Sequence, residues 1–379
     1  MANKSILIVG AGIAGLCFHR ALKQRGLDAT IVEKSPSWPP AGAGICLPGN
    51  AMAALQTLGL KHQVMQQANQ FSSIEYAKAN GKTLSTANLD NAPLDEQPFV
   101  AMKSLALLDI LKDGVENIRF NCSPTKVEYV QEGTLVEFSD GYSQFFDLIV
   151  GADGIHSKIR ELLFSANPVQ NLAVSCWRFL AYLPDVAQSP RYLVGNDDAF
   201  AFYPLGKGYF YCYAESGDKN KQLLSASPEQ LAKHFQHYET SVARAFEQIG
   251  NANPLFASAV ETITPKEFFN SNVALIGDAL HGCPPSLQQG VGLAIEDALV
   301  LARLLSRYPY EQAFPRYEQI RRQRVTWVGE QSTRSLKLAS KGRFFHGRVA
   351  RNNTLRRKGP GNVAFWQKLM AQDPLKDVL

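Results

Sequence analysis

The sequence predicts an α/β fold in which a doubly wound domain carries an inserted antiparallel sheet and is followed by helices. Near the start, the apolar run SILIV leads through a glycine-rich turn into a helical pattern, and DATIVE follows as a second buried strand. Residues 171–216 are rich in aromatic and β-branched residues between turn signals, which is typical of antiparallel strands. After Gly292 the pattern is mostly helical, with amphipathic stretches at 294–306 and about 309–340.

These patterns divide the 379 residues into three predicted parts. The doubly wound domain comprises residues 1–66, 101–170 and 266–308. The inserted domain comprises residues 67–100 and 171–265, and the C-terminal helical region comprises residues 309–379. Within the first part, residues 125–150 alternate in polarity with Gly and acidic residues at the turns, which predicts hairpins.

The composition is that of a globular protein. Hydrophobic residues make up 45% of the chain and charged residues 19%, which excludes a disordered chain. No run approaches 18 apolar residues, and only four apolar residues lead into the first glycine turn, so neither a membrane span nor a secretory signal is predicted. The six cysteines form no CxxC pair. Free thiols in a reducing compartment fit that spacing better than disulfides or a metal site, so we expect a cytoplasmic protein.

The net charge of +5 is concentrated near the C-terminus. From Lys341 to Lys358 the chain carries seven basic residues and no acidic one, which leaves the remainder at −2. A helix packed on the domain with a solvated basic face is the favoured interpretation. Contact of this tail with an anionic membrane is the alternative, whereas nucleic acid is not expected because no nucleic-acid-binding motif accompanies the tail.

The first motif is VGAGIAG, which lies between the first strand and the first helix. Gly10 permits the tight turn, Gly12 lets the backbone approach a pyrophosphate, and Gly15 lets helix and strand pack closely. Glu33 ends the second strand, where its carboxylate can accept hydrogen bonds from ribose hydroxyls and disfavours a 2′-phosphate. The motif therefore predicts a dinucleotide site without distinguishing NAD from FAD.

The second motif is DLIVGADGIHSKIR, residues 147–160, in which a strand delivers Asp153 and Gly154 to a sharp turn. An Asp-Gly pair in isolation predicts only a turn. Because this pair follows an apolar strand and another glycine, a role beside the ligand is a second interpretation. Ser157 is a candidate helix cap, and Arg160 a candidate surface charge.

The third motif is NVALIGDALHGCPPSLQQGVGLAIEDA. Asp278 follows a strand, at the edge where open α/β sheets bind ligands, and a short acid there can hold sugar-like hydroxyls. Pro284 and Pro285 stiffen the following turn. Gly290 and Gly292 allow the backbone to approach a flat ring at the start of a helix.

These three ordered motifs resemble the fingerprints of the single-component FAD-dependent aromatic hydroxylases, the para-hydroxybenzoate hydroxylase-like flavoprotein monooxygenases. The resemblance covers roughly residues 1–335 and includes AGAGICLPGNAMAALQTLG. It implies a Rossmann-like FAD-binding domain with an inserted antiparallel-sheet substrate domain. The cofactor-binding residues that it implies are Gly10, Gly12, Ala14, Gly15, Glu33, Lys34, Lys103, Val127, Asp153, Gly154, Gly277, Asp278, Gly290, Val291 and Gly292.

The resemblance also implies an activity. It predicts a monooxygenase that uses NADPH or NADH and O2 to hydroxylate an aromatic or heteroaromatic small molecule through a C4a-hydroperoxyflavin. Larger hydrophobic or polycyclic substrates, such as a quinone precursor or a tetracycline-like antibiotic, form one alternative, and an FAD-dependent oxidase or reductase forms another. The chain has no second GxGxxG, as expected for a family without a separate NAD(P)H domain.

Candidate substrate and catalytic residues are those on the aromatic strands and in the loop beside the expected flavin ring. The aromatic sheet supplies four candidate substrate contacts, namely Arg178, Phe202, Tyr211 and Tyr213. Strand alternation puts Phe200 and Phe202 on one face, for which core packing is the competing interpretation. For Arg178 the competing interpretation is an ion pair. His281 and Pro285 are candidate catalytic residues beside the ring, although a histidine there often bonds only its own loop.

Two positions depart from the family pattern. Where the family has an arginine that contacts FAD, this chain has Ser104, with Lys103 beside it as a cation that lacks the bidentate fork. In the flavin loop, Gln288 replaces the first glycine of GQG. That replacement calls into question whether the loop keeps a conformation that needs a positive φ.

Overall fold

The computed structural model describes residues 4–38, 43–130, 133–340, 342 and 344–374. Its strands are β1 (Ile6–Val9), β2 (Thr30–Val32), β3 (Gly44–Leu47), β4 (Asn69–Phe71), β5 (Ser73–Lys78), β6 (Thr83–Asn88), β7 (Phe99–Lys103), β8 (Ile118–Arg119), β9 (Pro124–Val130), β10 (Gly133–Phe138), β11 (Ser143–Phe146), β12 (Leu148–Gly151), β13 (Val169–Tyr182), β14 (Arg191–Val194), β15 (Asp198–Gly206), β16 (Tyr209–Gly217), β17 (Phe256–Ile263), β18 (Phe269–Asn270) and β19 (Val273–Leu275). Its helices are α1 (Ile13–Lys23), α2 (Gly49–Thr57), α3 (Lys61–Met65), α4 (Ser104–Lys112), α5 (Lys158–Leu163), α6 (Pro228–His234), α7 (Thr240–Glu247), α8 (Asp278–His281), α9 (Gly290–Leu305), α10 (Tyr310–Ser340), α11 (Phe345–Lys358) and α12 (Gly361–Ala371).

A six-stranded sheet places the three motifs side by side. Its strand order is β18-β19-β12-β1-β2-β8, and every neighbouring pair is parallel except β18 with β19. Val9 pairs with Gly151 and Val32, and Gly151 pairs with Leu275, so these strands end at the same edge. The glycine turn, Glu33, the Asp153 turn and Asp278 therefore all leave the sheet from one edge, as open α/β sheets require of a binding crevice.

Two glycines of the first motif have no room for a side chain. Gly10 has a φ of 107°, and a Cβ there would lie 2.5 Å from the carbonyl oxygen of Ala152. A Cβ on Gly15 would lie 2.0 Å from the carbonyl oxygen of Gly10, because α1 packs directly against β1. The predicted reasons for both glycines are confirmed.

A seven-stranded sheet forms the second layer, with the order β17-β13-β16-β15-β14-β5-β6 and only β14 with β5 parallel. Its two faces bury different groups. One face packs under α6 and α7 and forms a core with Phe179, Phe200 and Phe235. The other, which we call the front face, packs toward β3, β7 and the C-terminal helices and carries Tyr203 and Tyr211.

The remaining strands form two small antiparallel sheets, β11-β10-β9 and β3-β7-β4, and the chain ends in helices. The hairpins predicted within residues 125–150 are thus present. The long helix predicted near residues 309–340 is α10, Tyr310–Ser340. All six cysteines are unpaired, as expected. None of the helices in the described ranges is long and apolar enough to cross a membrane. The predicted fold class is confirmed.

Candidate functional site

The start of α1 forms an open cradle of backbone N–H groups. Around a Cβ built on Gly12, no atom of the described chain lies within 4 Å, and no side chain in these residues caps the helix. Its first-turn amides and positive dipole end suit a pyrophosphate. Ala14 lies on the adjoining turn, where its Cβ would be 2.8 Å from a Cβ on Gly277, so the first and third motifs touch.

Glu33 is held in place behind this cradle. Its carboxylate accepts hydrogen bonds from the backbone N–H of Ala11 at 2.9 Å and of Ser35 at 2.9 Å, and the residue is buried. A carboxylate oxygen has two lone pairs, so each retains acceptor capacity for a ribose hydroxyl. Lys34 follows on the surface.

Asp153 serves as a helix cap and retains a free acceptor. Its Oδ2 accepts from the N–H groups of Lys158 at 2.7 Å and Ile159 at 3.2 Å, while its buried Oδ1 has no hydrogen-bond partner among the described residues. Burial raises the pKa of Asp153, against the opposing hydrogen bond from Ser157 and those from the backbone. Gly154 beside it has a φ of 81°, which confirms the sharp turn.

Arg160 is buried, so its interpretation as a surface charge is wrong. It donates to the carbonyl oxygen of Ala279 at 2.7 Å and also to that of Ile155, which ties the second motif to α8. Ser157 is the N-cap of α5, as predicted, and accepts from the N–H of Arg160 at 3.0 Å.

Asp278 projects from a strained turn into the crevice. Gly277 before it has a φ of 60°, a conformation that disfavours any side chain. Asp278 is exposed as a residue, but burial of its carboxyl raises the pKa of that group, while His281 and Arg178 act in the opposite direction.

The flavin loop, which we define as residues 284–290, is held from two sides. The Pro285 carbonyl accepts from the N–H of Gln288 at 2.9 Å, so this exposed proline shapes the turn. Gln288 adopts φ 52° and ψ 33°, so the loop keeps the left-handed conformation without the family glycine. From α12, Asn362 donates to the carbonyl of Ser286 and Trp366 to that of Leu287, each at 3.0 Å.

The loop leads into the first turn of α9, where no side-chain cap is found within the described chain. Gly290 and Val291 are half-buried in this turn and leave its N–H groups to the crevice. Gly292 is buried, and a Cβ there would lie 2.7 Å from Nδ2 of Asn50 on α2. Gly290 and Val291 therefore remain candidates for contact with the ring, whereas the observed reason for Gly292 is close packing of α9 on α2.

A buried ion cluster behind α9 was missed by sequence reasoning. Glu296 accepts from Arg321 at 2.7 Å and from Arg324 at 2.6 and 2.7 Å, and Asp297 accepts from Arg321 at 2.7 Å. Burial opposes the ionisation of both acids, but Arg324 and Arg321 lower the pKa of Glu296 to about 2, and His281 and Arg321 lower that of Asp297 to about 2. Two adjacent acids inside an apolar helix were the available signal.

His281 belongs to the same cluster. Its Nε2 lies 2.6 Å from Oδ2 of Asp297, which also accepts from the N–H of Gly277 at 2.9 Å. The histidine is fully buried, and its Nδ1 has no partner within the described residues. These contacts connect α8 to α9, so the histidine bonds a neighbouring helix rather than only its own loop, and its catalytic role stays a prediction.

The front face forms the opposite wall of the crevice. Arg178 donates to Oγ of Ser258 at 2.7 Å and makes no ion pair within the described chain, and its buried Nε is unpartnered there. Tyr213 pairs with it across β13 and β16 and donates to Glu215 at 2.6 Å. Burial raises the pKa of Glu215, while hydrogen bonds from Tyr213 and Tyr192 oppose that shift.

Tyr211 joins this wall, but Phe202 does not. Tyr211 packs against β3, where a Cβ on Gly44 would lie 2.4 Å from its ring. Phe202 shares a face with Phe200 as predicted, but that face is the one under α6 and α7, and Phe202 is fully buried there. The structure therefore contradicts its assignment as a substrate contact, because the sheet itself separates it from the crevice.

Two further candidate FAD residues lie on strands. Lys103 ends β7 with its ammonium 5.3 Å from the ring centre of Tyr209, and it is exposed. Ser104 beside it is buried in the first turn of α4. Val127 is half-buried in β9, paired with Val136 of β10, and packs against the hydrophobic core that contains the parallel sheet. Their roles toward the cofactor stay predictions.

The unsatisfied groups of the site match an FAD molecule. Uncapped helix starts suit its pyrophosphate and flavin oxygens, while carboxylates that accept suit its hydroxyls. Five buried polar atoms from the second motif, the third motif and the front face lack a partner in the described residues; they are Asp153 Oδ1, Arg178 Nε, His281 Nδ1, Ser286 Oγ and Gln288 Oε1.

Comparison with known proteins agrees with this geometry. A family model described as an FAD binding domain matches residues 3–332. The 3-amino-4-hydroxybenzoate 2-monooxygenase PtnB3 of Streptomyces platensis is 31% identical over 350 residues, which cover 86% of each chain. The 2-heptyl-3-hydroxy-4(1H)-quinolone synthase of Pseudomonas aeruginosa is 26% identical over 335 residues, 86% of this chain and 87% of that one.

The fold is shared with solved structures. HpxO of Klebsiella pneumoniae, complexed with FAD and uric acid, superposes with a TM-score of 0.81 at 22% identity and covers 100% of this chain and 95% of its own. A salicylate hydroxylase substrate complex superposes with a TM-score of 0.80 at 20% identity and covers 100% and 97%. The chain belongs to the FAD binding domain family, and it is an FAD-dependent monooxygenase.

Proposed function

We propose that this monooxygenase uses NADPH or NADH and O2 to hydroxylate an aromatic or heteroaromatic small molecule in the cytoplasm. The observation that carries the proposal is the meeting of the three motifs at one edge of the parallel sheet, together with a front face that carries Arg178, Tyr211 and Tyr213. Relatives named for 3-amino-4-hydroxybenzoate and for a quinolone support a ring of this kind. The six free cysteines support the cytoplasmic location.

Two groups of residues would have different roles in the site. Gly12, Glu33 and Asp278 would hold the cofactor, and the N–H groups at the start of α9 would face negative charge on its ring. Arg178 would orient an acceptor or anionic group of the substrate, with Tyr211 and Tyr213 beside it. When bound, FAD supplies the redox chemistry, passing electrons from the nicotinamide nucleotide to O2 and one oxygen atom to the substrate.

The test follows oxidation of NADH and NADPH by the purified protein in the presence of salicylate, 3-amino-4-hydroxybenzoate, 4-quinolone, uric acid or a tetracycline. The expected result is a compound that speeds oxidation while released peroxide stays below the nucleotide consumed, with a hydroxylated product. Peroxide equal to the nucleotide consumed with every compound would instead indicate an oxidase.

A larger hydrophobic substrate, taken up beside an anionic membrane, is a second candidate. Phe344 is 73% exposed and Phe345 64% exposed at the start of α11, and the exposed residues 356–358 at its other end are basic. This combination of aromatic and basic groups suits a membrane interface. Sedimentation with phosphatidylglycerol vesicles at low salt, lost in Phe344→Ala/Phe345→Ala, is the expected outcome; protein that remains in the supernatant would remove this candidate.

A further inference from the structure

Asn50 is a buried amide that bonds to the residue directly before α9. It lies in the first turn of α2, and only 6% of it is exposed. Its Nδ2 donates to Oε1 of Gln289 at 2.9 Å, and its Oδ1 accepts from Nε2 of Gln289 at 3.1 Å. Gly292 leaves room for this contact, since a Cβ there would lie 2.7 Å from Nδ2 of Asn50. The two amides thus form a reciprocal pair that joins α2 to the flavin loop.

A buried charge fixes the orientation of both amides. Nδ2 of Asn50 also donates to Oε1 of Glu296 at 3.0 Å. Burial opposes the ionisation of Glu296, but Arg324 and Arg321 lower its pKa to about 2, so near neutral pH this carboxylate only accepts hydrogen bonds. Turning the Asn50 amide end for end would bring its oxygen against the carboxylate. The Asn50 amide therefore has one orientation, and Gln289 must match it.

This amide pair holds the end of the flavin loop that leads into α9. The middle of the loop is bonded to α12 through the carbonyls of Ser286 and Leu287. The next residue, Gln288, has a φ of 52°, which is unfavourable for a residue with a side chain. Such a conformation persists only where the surrounding structure holds it. Gln289 follows as the N-cap residue of α9, and Asn50 holds its side chain in place.

We infer that Asn50 is a positioning residue for the cofactor. Through Gln289 it keeps the first-turn N–H groups of α9, at Gly290 and Val291, directed at the place where the flavin ring is expected. This inference rests on the proposed function, which places the ring beside these groups. Reduction of FAD adds negative charge to its ring, so N–H groups directed at the ring bind reduced FAD more tightly than oxidised FAD. Without the amide pair, that difference in affinity becomes smaller.

The experiment measures the reduction potential of FAD bound to the wild type and to Asn50→Leu, by equilibration with a reference dye in the absence of substrate and O2. Leucine is similar in size to asparagine but neither donates nor accepts a hydrogen bond. We expect the ratio of the dissociation constants for oxidised and reduced FAD to fall about 10-fold, which lowers the two-electron potential by about 30 mV. A role in folding alone would not change this ratio.

Two further variants separate the causes. Gln289→Met removes the amide pair from its other side and leaves Asn50 beside Glu296, so it also tests the inference if Asn50→Leu yields no folded protein. We expect the same shift of potential in Gln289→Met, and no larger shift in the double variant. Asn272→Leu is the matched control: this buried asparagine bonds to Asp147 and Thr134 at the other end of the sheet, and its loss should lower stability without changing the potential.

An unchanged potential in Asn50→Leu would overturn the inference, as would a shift that Gln289→Met does not reproduce. The first result, together with a loss of stability, would leave Asn50 with a role in folding only. Because the potential is measured without turnover, the expected shift in a protein that hydroxylates no compound would sustain the inference while removing the proposed function. A hydroxylated product with an unchanged potential would do the reverse.

Discussion

The polar groups behind α9 differ from those in front of it in one respect, which is whether the protein itself pairs them. Behind the helix, Glu296, Asp297, Arg321 and Arg324 are buried and bonded to one another. In front, Asp278 projects into the crevice, and Gln288 keeps an unpaired atom. Paired buried charges position the backbone, whereas the groups in front lie at the proposed cofactor site.

The comparison implies that removing a polar side chain has different effects behind α9 and in front of it. Removing a group behind α9 leaves a buried charge without its partner and lowers the stability of the fold. Removing a group in front takes away a contact that forms only with the ligand, so binding weakens while the fold is retained. The predictions below test this division, from the largest expected effect to the smallest.

Gly12→Val tests the front side most severely. Its side chain would enter space that the described protein leaves open within 4 Å, so the apoprotein should fold. The same atoms would occupy the approach to the pyrophosphate, and we expect FAD affinity to fall at least about 1,000-fold, about 4 kcal/mol. Flavin content after purification and titration of the apoprotein with FAD measure it. Gly329→Val, at another glycine with open space, is the matched control, and a yellow Gly12→Val protein would contradict the assignment.

Arg321→Met tests the rear side. It removes one cation from two buried carboxylates, and we expect unfolding free energy to fall by about 3–5 kcal/mol. Urea unfolding followed by circular dichroism measures the change. Arg316→Met alters an exposed arginine of the same helix and should lower stability by less than about 1 kcal/mol. Equal losses in both variants would show that the cluster does not stabilise the fold.

The pH dependence of the stability difference between wild type and Arg321→Met tests the role of Arg321 more specifically. Glu296 and Asp297 have lowered pKa values in the folded protein, so their contribution is fully present above their unfolded pKa values near 4 and is lost as the pH falls toward 2. Because Arg324 and His281 contribute to the same shifts, the gap in unfolding free energy between wild type and Arg321→Met should shrink by only part of this contribution, about 1 kcal/mol, between pH 7 and pH 3. A gap that stays constant over this range would mean that Arg321 does not hold the two acids ionised.

The front of the site was largely predictable from sequence because its requirements are local. A turn that needs a positive φ at Gly10, or an acid at the end of a strand such as Glu33, is recognisable within a few residues. The rear of the site was not, because its contacts join distant segments. Arg160 is bonded to Ala279, 119 positions away, and nothing in its own helix distinguishes it from a surface arginine.

The inserted sheet also shows what a local sequence pattern does not predict. Alternation correctly placed Phe200 and Phe202 together, since it depends only on strand geometry. Which face meets the crevice depends on α6 and α7, which cover one side of the sheet, and no pattern within β15 contains that information. The assignment of Phe202 was wrong for this reason, while Tyr211 and Tyr213 on β16 lie on the front face.

Asp278→Asn has the smallest expected effect. Because Asp278 lies one turn from His281 of the rear cluster, this variant tests whether the carboxylate positions the backbone or binds FAD. Burial within the fold raises the pKa of Asp278, so ionisation of this carboxyl does not stabilise the folded chain; the resulting destabilisation is absent below its unfolded pKa and grows as the pH rises. The FAD-free variant should therefore be at least as stable as wild type at pH 7, while FAD affinity falls about 10- to 100-fold with the loss of a charged acceptor. Apoprotein unfolding and FAD titration measure the two, with the exposed Asp113→Asn as control. A variant that lost stability but kept its affinity would move Asp278 to the rear side of the comparison.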